Sequence, residues 1–490
     1  MSTTVPLAGP PGAAAPGVEV RDERHARRTL ALSGLAVLVT FLDTTVLFVA
    51  FPDISKTFAA AGPAELSWVL NAYTIAFAAL LVPAGKIADR IGHKKVFLAG
   101  SALFTVASAA CALAPTVEVL IAFRVVQAFG AAALIPASLA LVLRAFPAER
   151  LPFAVAIWGA MGAVAGAIGP TLGATLVQAA SWRWVFLINL PAGLVTIVLG
   201  SSLLKESSDP ETRIPALAGI VSIAGAASLV SLAVVKSDDW GWVDSRTFGA
   251  FALGLALFAF FIAHQRRTSA PALDLSLFGI RNYAWANGAT FAFGTAFTAM
   301  FFGSFLILTQ VWDYSVLRAG LGISPGPLVV AVLAPRFGKL AGRIGQRPLL
   351  ITGGIAFALG GVWRMVAMGA EAHYVADYLP GTLLTGLGVA LCLPQLASVT
   401  SQALPANRLG VGGAANQAVR QFGGTLGVGL TIAFISQPSS VQAALDNFDR
   451  VWLLLVIGGL ATSLLSLPLV TRRAPAALPV EDLVLAPELP

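Results

Sequence analysis

Two charged side chains stand inside stretches that are otherwise apolar, where they could bind or transfer an ion. Asp43 lies in LDTTVLFVAFP and is the only acid well inside an apolar stretch, and Arg124 begins RVVQAFG in another. Charges inside a membrane are costly and mark ion or proton pathways. We predict that Asp43 is a proton or cation site. The alternative is a structural hydrogen-bond node, protonated or capped by Thr44 and Thr45.

The depths of these two residues favour a contact between them. At about 1.5 Å per residue, Asp43 lies roughly 20 Å from the start of its helix, and Arg124 about 10 Å from the start of the fourth predicted helix. The distance from Asp43 to the other end of its own helix, near Pro52, is similar to the depth of Arg124. Both residues can therefore occupy one layer. An ion pair that depends on protonation would be a coupling switch; the alternative is a permanent salt bridge.

The composition indicates that these helices cross a membrane. Of the 490 residues, 57% are apolar and 11% are charged, whereas a soluble domain carries roughly 25% charged residues. The net charge of +7 comes with no basic stripe that aromatic residues interrupt, which argues against nucleic-acid binding. Two cysteines within apolar runs imply no disulfide framework. Residues 1–28 lack the apolar core of a removed signal peptide.

Apolar runs predict fourteen membrane helices, and hence an all-α polytopic membrane protein. Their approximate bounds are 30–51, 66–86, 95–114, 117–144, 151–179, 183–204, 214–236, 247–265, 284–311, 317–341, 348–369, 375–403, 409–436 and 450–471. With the N-terminus inside, 22 of the 31 basic residues fall on the cytoplasmic side. This bias predicts that both termini are cytoplasmic.

An internal repeat divides the chain into two halves. GKIADRIGHK at 85–94 returns as GKLAGRIGQR at 338–347, with six of ten positions identical. Duplicated halves that rock against each other are typical of secondary transporters. The predicted domains are a tail (1–28), a six-helix bundle (29–205), an inserted helix pair (206–282), a second six-helix bundle (283–473) and a tail (474–490). The inserted pair would be lipid-facing filler or a lateral substrate gate.

Glycine-rich segments are the candidate conformational switches. In the first copy of the repeat, glycines permit a tight turn, and an acid beside a helix N-terminus can act as a latch; the alternative is topogenic charge. The sequence GAVAGAIGPTLG at 162–173 permits close helix packing where the halves slide. The switch candidates are Gly85, Asp89, Arg90, Gly92, Gly162, Gly166, Gly169, Pro170 and Gly173.

Aromatic and polar residues of the central helices are candidates for a substrate cavity. They are Asn71, Tyr73, Phe77, Trp158, Phe297, Phe301, Gln310, Asn416 and Arg420. Arg420 would bind an anion or pair with backbone carbonyls, and Asp313 is expected at a solvated helix end rather than in a site. Neither a metal-ligand spacing nor GxxxxGK[ST] occurs, so neither a metal site nor ATP use is predicted.

These motifs resemble the major facilitator superfamily. GKIADRIGHKK resembles its signature between helices 2 and 3, RVVQAFGAA its helix 4 motif with Ala128 in place of glycine, and GPTLGA its helix 5 antiporter motif with Ala174 in place of glycine. LDTTVLFVAFP, SWRWVFLINLPAG and the fourteen spans resemble the fourteen-helix drug:proton antiporters. The resemblance implies alternating access and proton coupling through Asp43 and Arg124. Phe48 departs from the helix 1 motif and suggests an altered pocket.

We therefore predict a non-enzymatic, proton-coupled exporter of amphipathic or cationic organic compounds, such as drugs and antibiotics. The proton gradient would be its energy source, with no cofactor. A monomer in a bacterial inner membrane is expected. The alternatives are an exporter of lipids or of a self-made antibiotic, a proton–solute symporter and, from another class, a membrane sensor or scaffold. The sensor would need large loops or soluble domains, which the sequence lacks.

Overall fold

The computed structural model describes residues 16–471, except 148–149, 210–211, 406–407, 436–437 and 439. The predicted C-terminal tail lies outside these residues, as does the tail before residue 16. The described residues are mainly helical and include no strand. The helices are α1 (Pro16–Thr57), α2 (Pro63–Ile91), α3 (His93–Ala112), α4 (Val117–Ala145), α5 (Leu151–Ala179), α6 (Trp184–Leu187), α7 (Asn189–Leu203), α8 (Leu217–Trp240), α9 (Ser245–Arg267), α10 (Arg281–Gln310), α11 (Val316–Ile323), α12 (Pro325–Ile344), α13 (Gln346–Ala367), α14 (Leu379–Gln402), α15 (Leu409–Phe434) and α16 (Val441–Ser466).

The predicted all-α membrane fold is confirmed. Thirteen described segments are long and apolar enough to cross a membrane; α15, at the position of the remaining predicted span, has 26 residues but is less apolar. The polar run NQAVRQ at 416–421 lowers the hydropathy of α15. A spanning helix with such a run turns it toward the protein interior, because lipid cannot satisfy polar groups. α1 begins at Pro16, well before residue 30, so part of the predicted N-terminal tail is helical.

Proline breaks two of the predicted spans. The span at 183–204 is divided into α6 and α7 at Ile188, and Pro191 follows in the first turn of α7. The span at 317–341 is divided at Ser324, directly before Pro325. Proline has no backbone N–H and therefore cannot continue the hydrogen-bond ladder of the preceding turn. The first break has a consequence for the site, since it sets the position of Asn189.

The inserted helices cover the seam between the halves. α1–α7 pack mainly on one another, as do α10–α16, while α8 packs against both α2 and α15. A Cβ atom on Gly429 of α15 would lie 3.4 Å from Val235 of α8. α9 packs on the outside of α8, where Gly254 faces Val230. The pair therefore bridges the halves on one side of the protein.

The halves meet on the side of the bundle opposite the start of α1, which we call the far side. Phe48 and Phe51 of α1 pack on Phe302 of α10 with ring centroids 5.6 and 5.1 Å apart. The hydroxyl groups of Thr171 in α5 and Ser324 beside α12 are 2.8 Å apart. On the opposite side, where α1 begins and which we call the N-terminal side, Cβ atoms on Gly159 of α5 and Gly338 of α12 would meet no atom within 4 Å. Neither helix is packed on a neighbour at these two positions.

Candidate functional site

Asp43 and Arg124 form a buried ion pair. Nη1 of Arg124 lies 2.5 Å from Oδ2 of Asp43, and each side chain is only 1% exposed. The carboxylate accepts two more hydrogen bonds at Oδ1, from the side-chain amides of Gln127 and Asn189, each 2.8 Å long. The structure thus brings together the two charges that the sequence placed in one layer, and it surrounds the carboxylate with three donors.

The guanidinium group of Arg124 is held as firmly as the acid. Its Nε donates to the carbonyl oxygen of Val69 in α2 at 3.1 Å, and Nη1 also donates to Oε1 of Gln127 at 2.6 Å. The ring of Tyr73 lies 4.0 Å below the guanidinium carbon, and such a cation–π contact stabilises a desolvated cation. The pair therefore joins α1, α2 and α4 into one unit.

Sequence reasoning missed three members of this network, which are Gln127, Asn189 and Ser108. Gln127 follows Arg124 by three residues and thus lies on the same face of α4. Asn189 enters from the break between α6 and α7. The hydroxyl of Ser108 in α3 accepts hydrogen bonds from both amides, at 2.7 and 3.3 Å. The signal available was the polar residue three positions after Arg124; the positions of Asn189 and Ser108 depend on tertiary packing.

Three predicted cavity residues lie instead inside the N-terminal half. Asn71, Tyr73 and Phe77 are at most 1% exposed, and the rings of Tyr73 and Phe77 stack with centroids 5.8 Å apart. Tyr73 packs against Arg124, and none of the three side chains is open to a cavity in this conformation. Gln310 is exposed at the last residue of α10, and thus lies at a helix end. These four assignments are corrected because an aromatic or polar residue type in a central helix does not show which neighbour covers the side chain or how near a helix end it lies.

The remaining cavity candidates face the region between the halves or hold its walls. Trp158 donates its indole N–H to Ser138 at 3.0 Å. Phe297 and Phe301 continue a ladder of rings along α10, with centroids 6.1 Å apart. Asn416 donates to Asn287 and Thr290 at 3.0 and 3.2 Å; it therefore fastens α15 to α10.

Arg420 reaches across from α15 to the other half. Its guanidinium carbon lies 5.5 Å from the ring of Phe41 in α1. Its side-chain stem packs on α10, where a Cβ atom on Gly294 would lie 3.5 Å from Cγ of Arg420. Nε of Arg420 is buried and has no hydrogen-bond partner. The carbonyl pairing considered for Arg420 is therefore absent at this atom.

The turn between α2 and α3 is tied to the linker that precedes α8. Gly92 has a φ angle of 126°, which favours glycine. The carboxylate of Glu206 accepts from the backbone N–H groups of Lys94 and Lys95 at 3.1 Å, so Glu206 occupies the N-terminus of α3 that Asp89 was expected to face. Asp89 instead pairs with His93 at 2.9 Å.

Other members of the turn have simpler surroundings. Arg90 is exposed. A Cβ atom on Gly85 would lie 3.3 Å from Pro136, so this glycine lets α2 approach α4. His93 is 1% exposed, and its imidazole contacts both Asp89 and Ser207. The predicted latch therefore holds the linker against the N-terminal half.

The glycines of α5 pack within their own half. A Cβ atom on Gly162 would lie 3.2 Å from Phe41 of α1, and Gly173 faces Val46 of the same helix. Gly169 faces Thr45, whereas Gly166 has no atom within 4 Å. Contact with the other half is made by Pro170, whose carbonyl oxygen would lie 2.9 Å from a Cβ atom on Gly320 of α11. The expectation that these glycines form the sliding surface is thus corrected, because they face α1.

A second buried arginine was missed. Arg364 falls within the predicted span 348–369 and is 1% exposed inside α13. Its guanidinium carbon lies 5.0 Å from the ring of Trp452 and 5.4 Å from that of Tyr378, and Nη2 donates to Thr382 at 3.2 Å. Asp313, by contrast, is exposed with a φ angle of 50° after the end of α10, as expected of a solvated helix end.

Residues 34–428 match the family model of the Major Facilitator Superfamily. The chain belongs to the major facilitator superfamily. It is 37% identical to the multidrug resistance protein Stp of Mycobacterium tuberculosis, over 81% of this chain and 74% of the relative. It is 32% identical to the cephamycin export protein CmcT of Amycolatopsis lactamdurans, over 92% and 94% of the two chains.

Solved structures agree with this fold. The structure of the peptide transporter POT in complex with sulfate superimposes with a TM-score of 0.63, at 15% identity, over 89% of this chain and 93% of the other. At this identity the likeness concerns the fold alone. The protein is a multi-pass membrane transporter of the same superfamily as multidrug and antibiotic export proteins.

Proposed function

We propose that this protein exports amphipathic organic compounds, including drugs and antibiotics, in exchange for protons. The observation that carries the proposal is the buried pair of Asp43 and Arg124. A carboxylate at this depth is retained at a high cost in desolvation, and its protonation removes the charge that compensates Arg124. The pair thus has two electrostatic states, which proton uptake interconverts.

The geometry supports a sequence of steps. In the described conformation Asp43 is 1% exposed and is sealed from water. Separation of the halves on the far side would remove Phe302 from α1 and open a route toward the carboxylate. Proton uptake there would release Arg124, and return to the described conformation, in which the far side is closed, would leave the N-terminal side for loading. The alternative reading, a permanent salt bridge, would keep the pair ionised in both conformations.

The membrane setting follows from the charge distribution. We place the N-terminal side in the cytoplasm, since the short loops on that side carry most of the basic residues. Proton entry on the far side would then use the gradient across a bacterial inner membrane, without a cofactor. A monomer is sufficient, because both halves of the pathway belong to one chain. A narrower exporter of one antibiotic is the second candidate, and the relative named for cephamycin export favours it.

A comparison of three variants in proteoliposomes tests the role of the pair. Asp43→Asn leaves Arg124 buried and uncompensated, which costs about 3–5 kcal/mol in stability. The double variant Asp43→Asn/Arg124→Gln removes both charges and is expected to recover most of that stability. We expect Asp43→Asn and the double variant both to lose export driven by a pH gradient.

The double variant distinguishes a role of the ion pair in proton coupling from a purely structural role. If the pair only holds α1 and α4 together, the stable double variant will export at the wild-type rate, and the proposed coupling is wrong. Stability is read from the thermal midpoint of the purified protein, and export from the acidification of liposomes that contain a pH-sensitive dye. Arg450→Gln, on the exposed face of α16, is the control for the loss of one positive charge.

A further inference from the structure

We infer that Arg420 and Gln417 bind the anionic group of the exported compound, so that the preferred substrates are organic acids with an apolar or aromatic body. This inference rests on the proposed export function and narrows its substrate class. It disfavours the lipophilic cations that the sequence left open. Two donors on α15 lack hydrogen-bond partners, and the described part of the chain offers no acid to compensate them.

Both donors lie on one face of α15. Gln417 and Arg420 are three residues apart, which places them side by side on a helix. Nε2 of Gln417 and Nε of Arg420 are each buried without a hydrogen-bond partner. A buried donor that lacks an acceptor destabilises the protein, and more so when the donor is charged. A ligand that supplies acceptor oxygens removes this cost.

No protein acid compensates Arg420 among the residues that the structure describes. Its guanidinium takes part in no ion pair there, and its recorded contact is with the ring of Phe41. Asp43 is the one acid within the middle of a described membrane span, and its oxygens already accept from Arg124, Gln127 and Asn189. The region between the halves therefore carries an uncompensated positive charge, and a cationic substrate would be repelled there.

The side chains around Arg420 indicate the chemical character of the rest of the ligand. Arg420 is partly exposed although its Nε atom is buried, and its guanidinium group lies between α15 and Phe41 of the other half. Partly buried apolar residues of both halves pack in one cluster around this region, including Phe41, Trp158 and Met161 of the first half and Phe422 of the second. A guanidinium group beside aromatic side chains can bind a carboxylate or an acidic phenol that is attached to a ring system.

Three pyrene derivatives that differ only in the charged group provide the test. They are pyrenebutyrate, its methyl ester and a pyrenylbutyl trimethylammonium salt. Binding to the purified protein is measured by energy transfer from tryptophan to pyrene, with no pH gradient. We expect the carboxylate to bind the wild type at least tenfold more tightly than the ester, as a charge-assisted hydrogen bond predicts. We expect the cation to bind most weakly.

Variants of Arg420 assign the effect to this site. Arg420→Gln is expected to lower the affinity for the carboxylate about tenfold and to change that for the ester less than twofold. Arg420→Lys keeps the charge and is expected to retain most of the preference, and the control Arg450→Gln all of it. If the cation binds as tightly as the acid, or if Arg420→Gln preserves the preference, the inference is overturned.

The wild-type comparison and the Asp43→Asn variant together show which of the two proposals a negative result contradicts. The comparison of the three ligands on the wild type needs no variant, so it decides the matter even if Arg420→Gln fails to fold. Asp43→Asn is expected to abolish proton-driven export and to keep the preference for the acid. Loss of coupling with an intact preference would therefore contradict the proposed function alone, whereas an absent preference with intact coupling would contradict only the assignment of Arg420.

Discussion

Two glycines of α5, three residues apart, predict opposite responses to the same substitution. A Cβ atom on Gly169 would clash with the Thr45 side chain of α1, lying 2.7 Å from its Cβ atom, whereas a Cβ atom on Gly166 would meet nothing within 4 Å. Thr45 cannot move freely, because its hydroxyl donates within α1 to Leu42 at 3.0 Å and lies 3.3 Å from the carbonyl oxygen of Ala165. Gly169→Ala must therefore displace α5 from α1.

The expected free energies follow from two opposing terms. Replacing glycine by alanine within a helix contributes up to about 1 kcal/mol through helix propensity, and this applies to both positions. Overpacking costs about 1–3 kcal/mol, and it applies only to Gly169. Gly166→Ala is thus expected to be neutral or stabilising, and Gly169→Ala destabilising, with a difference of about 1–3 kcal/mol between the two free energies of unfolding.

The assay is thermal unfolding of the purified variants in one detergent, followed by tryptophan fluorescence. Adding Thr45→Ala to Gly169→Ala removes the hydroxyl that clashes, so we expect part of the lost stability to return. Equal midpoints for Gly166→Ala and Gly169→Ala would show that α1 and α5 do not pack as described. A lower midpoint for Gly166→Ala than for Gly169→Ala would contradict the reasoning outright.

Two further predictions concern the seam and the linker. A disulfide between Thr171→Cys and Ser324→Cys, whose hydroxyls are 2.8 Å apart, should stop export by fixing the far side closed, and a reducing agent should restore it. A cross-link within one half, between Thr298→Cys and Gly424→Cys, whose Cβ atom would lie 3.1 Å from Oγ1 of Thr298, is the control and should permit export. Glu206→Gln removes a negative charge from the N-terminus of α3 and should cost about 0.5–2 kcal/mol; an unchanged thermal midpoint would contradict the capping role.

The sequence was sufficient for the fold and for the central ion pair because both depend on the cost of polar groups in lipid. Apolar runs determine the number of spanning helices, and a charge within such a run must find a partner. Asp43 and Arg124 were therefore recognisable from their depth alone. The same reasoning was not applied to Arg364, which lies near the end of the predicted span 348–369, and the surrounding rings of Tyr378 and Trp452 allow it to be buried.

Partners that come from distant segments were not predictable from spacing. Asn189 reaches Asp43 because the chain breaks before Pro191, and the angle of that break is a property of tertiary packing. The sequence marked Asn71 and Tyr73 as polar and aromatic residues of a central helix, but not that both are buried or that Tyr73 packs on Arg124 of α4. Periodicity specifies which residues share a face, whereas the identity of the covering element depends on how the helices assemble.

The position of Asp43 links proton access to the separation of the two halves. Every residue of α1 from 46 to 51 is buried, and Phe302 of the second half supplies part of that cover through Phe48 and Phe51. Asp43 itself pairs only with residues of the first half. A movement of the halves can therefore uncover the carboxylate from the far side without first breaking its hydrogen bonds. Coupling then needs no chain of contacts to Arg420, because one rigid-body equilibrium controls both sites. The proton would bias that equilibrium only if it binds the two conformations with different affinity. The double variant Asp43→Asn/Arg124→Gln has no carboxylate to protonate and therefore removes this difference.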